Sequence, residues 1–493
     1  MEKRERYVLL GIIFVSLVIR LLIAFSIPNL TYESYFHLRQ VEHIHNTGIP
    51  LYNDPLSYGG RTLHFLPLFH YLAAALSFFL PLDLIAKLLP NILLSTIPFL
   101  VYHLSKKITT NGSGPLLASF VSAFLPILFT TNAFTPETLF LPLTFFTLYC
   151  FLRGEEQKYQ YRYILAFLLL SITSPATVFI LIGFGIYVIL SLIERKKLNS
   201  AESELMIFSV FFFLWSQFIF FKDNFLTHGI SFIWRNIPSQ VIYEYLPRIS
   251  LPKALLLVSI IPFLAGIYVA YRSLFELKNE KSFLLISFVI STTILAWARL
   301  IRFNFSLAFF GIILSILFAS FYNDAITFVK KTRAPWLHKY LAPSVLLLLI
   351  LTTVLPALNT AQEQTVPRDE EIVAFKWIRT NLPEQATIAS SVEEGHLITY
   401  FAQRRNILDD NFALIDDAEE RFTAISTLYT TPFQTEAINL FSKYSTQYLV
   451  LTPHSSLKYK IARLPYLTPE CFELVYKNKV QIYKVKCIIS KTT

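Results

Sequence analysis

The chain has 493 residues, 54% of them hydrophobic and only 15% charged, with a mean hydropathy of +0.51. Soluble domains carry about 25% charged residues, so this composition excludes a wholly soluble protein and requires lipid around most of the chain. The net charge of +10 does not point to nucleic acid, because much of the basic excess lies in short loops between apolar runs, where membrane orientation puts it.

A membrane-spanning helix takes about 20 apolar residues. About eleven spans are predicted, near 7–27, 84–104, 115–131, 138–152, 161–175, 176–193, 205–221, 253–271, 282–298, 304–322 and 341–357. The first is too long for a cleaved signal peptide, and Ile27-Pro28-Asn29-Leu30 is no small-residue cleavage site. The segment Pro67 to Leu80 is apolar but short and bracketed by Pro67 and Pro81, which predicts an interfacial or re-entrant helix. With that reading the short loops on one side carry more than twice the Lys and Arg of the other, including Lys106, Lys107, Arg195, Lys196 and Lys197. The N-terminus is then inside and the C-terminus outside. Two long outer loops result, roughly 28–65 and 222–252.

The tail, about 358–493, changes character. Its charges are nearly balanced and its apolar runs are short. Asp369-Glu370-Glu371 opens an amphipathic helix, with acids at the positive end of its dipole. Ala386 to Ala389 and Gln447 to Leu451 read as buried strands, Asp416 to Leu428 as a helix, and Phe472 to Lys486 as a hairpin. Cys471 and Cys487 flank that hairpin, which permits a disulfide if the tail is outside. The expected architecture is a transmembrane domain, 1–357, followed by an extracytoplasmic α/β domain, 358–493.

Seven acids fall in or beside the outer loops: Glu33, Glu42, Asp54, Asp83, Glu137, Asp223 and Glu244. An acid at a membrane boundary facing a cavity is a functional candidate. Glu33, Glu137 and Glu244 could converge on one divalent cation, and hard oxygen ligands suit Mg²⁺ or Mn²⁺. Each also has a plain reading. Glu137 follows Pro136 and suits a helix start, Glu33 could pair with Arg39 on the surface, and Glu244 sits between two tyrosines in a long loop. Arg299 and Arg302 reach the outer face, where Arg either grips phosphate in a bidentate fork or snorkels to the interface. Arg20 lies within the first span. Five of the ten His lie in the first loop and its adjoining helix, and His43-Ile44-His45 lacks the i, i+4 spacing of a zinc helix.

Glu33-Ser34-Tyr35-Phe36-His37-Leu38-Arg39, Ser239-Gln240-Val241-Ile242-Tyr243-Glu244, Arg302-Phe303, and Pro383 to His396 with Leu408-Asp409-Asp410-Asn411 resemble, in order, motifs of the oligosaccharyltransferase catalytic subunit. These are its first outer loop, its acidic loop, its pyrophosphate-contacting Arg and the region of its WWDYG motif. The departures are Glu33 where the family has Asp, a second-loop acid motif reduced to Pro136-Glu137, and Val392-Glu393-Glu394-Gly395-His396 in place of the tryptophans. The reduced motif is more like other GT-C glycosyltransferases that use polyprenyl-phosphate sugars.

The resemblance implies a GT-C membrane glycosyltransferase that inverts the sugar it takes from a polyprenyl-phosphate or pyrophosphate carrier. Its acceptor would be a protein, or a cell-surface glycan or lipid, at the outer face. Glu33, Glu137 and Glu244 would be catalytic and bind Mn²⁺ or Mg²⁺. Arg302, Arg299 and Arg39 would hold the donor phosphate, and Glu393, Glu394 and His396 would face the acceptor. The partners implied are the lipid-linked donor, membrane lipid and the acceptor, with the chain acting as a single subunit. A lipid-linked glycan transporter or flippase, which would show charged or broken helices near the midplane, and an inactive scaffold are the alternatives.

Overall fold

The computed structural model describes residues 3–109, 112–229, 250–276, 280–412 and 414–487. Glu244 lies outside the described residues.

Helix occurs at each predicted span. α1 (Lys3–Ser26) is followed by α2 (Ser34–Thr47), α3 (Leu68–Ser77), α4 (Leu82–Leu94), α5 (Ile97–Ile108), α6 (Gly114–Ala123), α7 (Glu137–Phe151), α8 (Gln157–Ser171), α9 (Val178–Ile193) and α10 (Ser200–His228). Among the described residues, by length and composition six helices can cross a membrane, or seven if the bent pair Leu251–Val258 and Ile260–Phe275 counts as one. α6, α7 and Ser282–Trp297 are apolar but shorter. The stretch predicted as 115–131 is interrupted, because Pro126 starts a separate 3₁₀ turn after α6. The short apolar segment after Pro67 is α3, and the Phe78 and Phe79 side chains beyond it are exposed.

Burial is inverted relative to a soluble bundle. α1 buries Leu9, Ser16, Arg20 and Ala24 and exposes Phe14, Leu22 and Phe25. Lipid solvates those large side chains, and small ones inside let neighbouring backbones approach. Arg20 is buried within the bundle: its guanidinium donates to the Leu128 carbonyl at 2.6 Å and lies 4.4 Å over the Phe129 ring. The helix Phe303–Lys330 is the most enclosed candidate span, with Phe305, Phe309, Ile312 and Ile316 in the main apolar core. The bent pair turns by 86° at Ser259, whose φ is +69° and whose hydroxyl bonds the Thr353 side chain of the facing helical segment.

After the helix Leu355–Gln362 comes a five-stranded sheet of order β4-β3-β5-β7-β6: β3 (Thr387–Ala389), β4 (Arg405–Asn406), β5 (Tyr448–Leu451), β6 (Phe472–Lys477) and β7 (Gln481–Val485). β3 runs parallel to β4 and β5, with Ile388 opposite Tyr448. β6 and β7 form the expected hairpin, closed at its foot by a disulfide between Cys471 and Cys487, Cα atoms 4.9 Å apart. The helices Asp369–Asn381 and Ala418–Thr430 stand where acid-led helical patterns predict them.

The alternation of strand side chains divides this sheet between two cores. Ala389, Leu449 and Leu451 pack with Ile425 and Leu428. Ile388, Val450 and Ile482 join Leu38 and Val41 of α2 and Phe69 and Ala73 of α3 in a single cluster. The first loop is therefore built against one face of the sheet, and that contact places Glu33 beside residues of the tail.

Candidate functional site

Glu33 stands immediately before α2, and Glu137 is the first residue of α7 after Pro136. The loops that carry them are tied together: the Thr31 N–H donates to the Asn132 carbonyl at 3.1 Å, and the Phe134 N–H donates to Ser34 Oγ at 2.9 Å. Asn132, fully buried, donates through Nδ2 to the carbonyls of Ile27 and Asn29 at 3.1 and 2.8 Å. Asn132 has no motif to announce it; it stands in the polar break Thr130-Thr131-Asn132 between apolar runs.

Arg302 stands immediately before the enclosed helix Phe303–Lys330, at its N-cap position. Its guanidinium bonds Glu33 Oε1 and lies 3.4 Å from Glu137 Oε1. Glu33 therefore pairs with Arg302 and not with Arg39. Burial opposes ionisation of Glu33, but Arg302 and His37 outweigh it and hold the carboxyl well below the usual range. The Glu33 carboxylate in turn holds the proton of Arg302 more tightly than usual, with Glu137 and Asp410 adding to it. Glu137 Oε2 is buried with no hydrogen-bond partner.

His396 is the tail residue that joins this cluster. It is 2% exposed, bonds Asp410 through Nε2, lies 4.0 Å from Asp409 Oδ2, and has the Phe36 ring 5.5 Å away. Burial opposes its protonation, but Asp410 and Asp409, with Glu33 beyond, raise it to about 9. Among the described residues, His396, Asp409 and Asp410 are the one group of three such side chains with ligand atoms mutually within 4.8 Å. Asp409 is also a structural hub: Ser57 Oγ donates to its Oδ2 at 2.7 Å, Asn406 Nδ2 at 3.0 Å, and the Asn411 N–H donates to its Oδ1 at 3.1 Å. Asp409 and Asp410 stood in the tail motif, but nothing local distinguished them from solvated acids.

Three expected contributors are engaged elsewhere. Arg39 forms a two-pronged ion pair with the buried Asp54, at 2.6 and 2.8 Å, and so pins the hairpin of β1 (Asn53–Asp54) and β2 (Arg61–Thr62). Asp54 also accepts the Leu56 N–H at 2.9 Å, which makes Arg39 part of the scaffold and not of the Arg302 cluster. Glu393 is bound by Lys458 at 2.7 Å. Burial opposes its ionisation, but His454 and Lys458 bring it down to about 2. Glu394 turns inward, accepts the Ser391 N–H at 3.0 Å and the Thr452 hydroxyl, and is pushed up to about 7, chiefly by burial. Arg299 is exposed in the turn before Arg302, with φ +60°.

Gly395 makes the His396 position. A Cβ there would sit 2.4 Å from the Leu408 carbonyl oxygen and 2.7 Å from Asp409 Cβ. Gly395→Ala is expected to push the 408–411 loop off His396 and cost about 1–3 kcal/mol, read as a lower melting temperature of the purified protein. The raised His396 also makes stability depend on pH. Its contribution is complete below the unfolded value of 6.5 and is lost as pH rises through about 9. Melting temperature is expected to fall between pH 6.5 and 9.5, and to fall less in Asp410→Asn.

No family model and no curated protein sequence matches the chain. Solved structures do. The archaeal oligosaccharyltransferase AglB from Archaeoglobus fulgidus, in complex with an inhibitory peptide and a dolichol-phosphate, matches at TM-score 0.68 and 14% identity, over 91% of this chain and 70% of that one. ArnT from Cupriavidus metallidurans in the apo state matches at TM-score 0.59 and 10% identity, over 96% of this chain and 98% of that one. ArnT bound to undecaprenyl phosphate matches at TM-score 0.56 and 12% identity, over 96% and 97%. The fold shared with these structures is the GT-C fold, a polytopic helical membrane domain followed by a soluble one, and this chain has it.

Proposed function

We propose that the chain is an inverting membrane glycosyltransferase. It moves a sugar or oligosaccharide from a polyprenyl-phosphate or pyrophosphate carrier to an acceptor, a protein or a cell-surface glycan or lipid, at the outer face of the cell membrane. The observation that carries this reading is the Arg302 guanidinium held between Glu33 and Glu137, three groups from distant stretches meeting at the N-terminal end of the helix Phe303–Lys330. The likeness to structures that hold dolichol-phosphate and undecaprenyl phosphate supports it. In the proposed chemistry the acceptor attacks the anomeric carbon opposite the carrier. The new bond to the acceptor forms as the carbon–oxygen bond to the carrier phosphate breaks. Glu33 orients the acceptor and takes its proton, while Arg302 holds the leaving phosphate.

The residues fit a divalent cation. Glu137 Oε2 is a buried, partnerless oxygen, and the carboxylates of Glu33, Glu137 and Asp410 act on a single guanidinium, an excess of negative charge that a dication would neutralise. Glu33 and Glu137, with Glu244 as a third ligand, would hold Mn²⁺ or Mg²⁺, and the ion would stabilise charge on the leaving phosphate. A likeness to AglB in complex with Zn and sulfate is consistent with a metal. The tail, from about 358, would lie outside and shape the acceptor side through His396, and the chain would act as a single subunit.

The test is incubation of the purified protein with labelled polyprenyl-phosphate and polyprenyl-pyrophosphate sugars, with and without candidate acceptors, Mn²⁺, Mg²⁺ and EDTA. Metal-dependent release or transfer of sugar is the expected result. Flipping without cleavage would favour a transporter, and donor binding with neither would favour an inactive scaffold.

A further inference from the structure

Directly beside Glu33 is a pair of buried histidines that the proposed reaction leaves unused. His37 lies four residues after Glu33 on the same face of α2. Its Nδ1 bonds His70 Nε2 at 2.9 Å, while its Nε2 is buried without a hydrogen-bond partner, 3.9 Å from Glu33 Oε1. That gap is too long for a hydrogen bond and short enough to close by a small rotation of the Glu33 side chain. His37 and His70 are 7% and 1% exposed, with Phe36, Phe65 and Phe69 packed around them.

The tautomers follow from hydrogen-bond bookkeeping. A neutral imidazole carries one N–H. If His37 donated to His70, His70 would be left with a buried Nδ1–H and no acceptor, and His37 would aim a lone pair at a carboxylate. An orphaned buried donor costs about 1–3 kcal/mol. If His70 donates to His37, the unpaired acceptor is His70 Nδ1 among aromatic rings, and the unpaired donor, His37 Nε2–H, is the one that faces the Glu33 carboxylate 3.9 Å away, which attracts an N–H and would repel a lone pair.

We propose that His37 is a positioning residue: its Nε2–H takes over the Glu33 carboxylate when Arg302 turns to the donor phosphate, and His70 locks the tautomer that makes this transfer of partners work. The proposal rests on the glycosyltransferase reading above. Without His37, only the cation would hold Glu33 at the moment its ion-pair partner is drawn to the donor.

The test uses the full chain in lipid nanodiscs and two substitutions that split the ring's two ends. His37→Gln keeps an amide N–H near the Nε2 position; His37→Asn reaches only to the depth of Nδ1. With a polyprenyl-phosphate sugar as probe, Gln is expected within about 5-fold of wild-type kcat and Asn about 30- to 100-fold down, both with unchanged donor KM. Equal losses in the two variants, or a change confined to KM, would overturn the proposal. Nitrogen-15 NMR of histidine-labelled protein gives a readout independent of turnover. His37 is expected to carry a proton on Nε2, with a resonance that moves on adding undecaprenyl phosphate in wild type but not in Glu33→Gln. An unprotonated Nε2, or a response that persists without the carboxylate, would sink the inference even in a protein that cleaves donor. A wild type that cleaves no donor would sink the proposed function while the NMR result still decides the His37–Glu33 contact.

Discussion

Glu33→Gln is expected to lower sugar transfer by about 10³-fold or more, with normal expression and folding. Glutamine has nearly the same shape, and the Glu33 side chain is 29% exposed, so the substitution leaves no cavity and little strain. What it removes is the negative charge. The amide cannot take a proton from the acceptor, cannot serve as a hard ligand for a cation, and cannot hold Arg302 by an ion pair. A surface acid would behave differently: loss of an exposed ion pair changes stability by about 0–1 kcal/mol and leaves turnover untouched. The measurement is single-turnover release of labelled sugar from the polyprenyl-linked donor by purified wild-type and variant protein, with melting temperature as the folding control. Turnover within 3-fold of wild type would remove Glu33 from the chemistry.

The same substitution separates Glu33 from Glu137. Glu137 opens α7, where a carboxylate also stabilises the positive end of the helix. Glu137→Gln therefore mixes a helix effect with any loss of a ligand. Glu33, at the N-cap of α2, carries a helix effect too, but its loop is already fixed by Ser34 and Asn132 and it is the carboxylate bonded to Arg302, so its substitution weighs more on the site.

How far the sequence reaches depends on the range of the forces involved. Helices in lipid announce themselves through runs of apolar residues, and the tail's strands and acid-led helices through local pattern, because each depends on neighbours a few positions away. Pairing of side chains does not. Glu33 and Arg302 are 269 positions apart, and Ser57 and Asp409 are 352 apart. Glu33, Glu137 and Arg302 were legible as candidates from their place at helix ends on one predicted side, but their mutual contact was not. Arg39 looked equally suited to phosphate until the fold put Asp54, only 15 positions away, against it. Glu393 and Glu394 stand side by side in the chain, yet the turn before Gly395 sends one to Lys458 and the other into the interior. The neighbouring His396 reaches the cluster because Gly395 lets it lie against Asp409. The His37–His70 pair needed α2 and α3 to pack on one sheet face before it existed.

Arg302→Lys is expected to raise donor KM by about 10-fold and lower kcat by about 10²-fold, and Arg302→Gln to lower kcat further, by about 10³-fold. A lysine keeps the charge, so a purely electrostatic role predicts little change. The geometry argues for more. Arg302 Nη1 serves Glu33 and approaches Glu137, and the side chain that carries the planar fork is 62% exposed. A guanidinium that has passed Glu33 to His37 can still keep Glu137 while it grips two phosphate oxygens. An ammonium is a compact point charge on a flexible stem, and drawing it to phosphate releases both acids at once. Three carboxylates, those of Glu33, Glu137 and Asp410, would then repel the incoming donor with less to offset them. Steady-state kinetics at varied donor concentration check this directly. Equal kcat for Arg and Lys would mean that position 302 supplies charge alone, and that the fork between Glu33 and Glu137 belongs only to the ligand-free state.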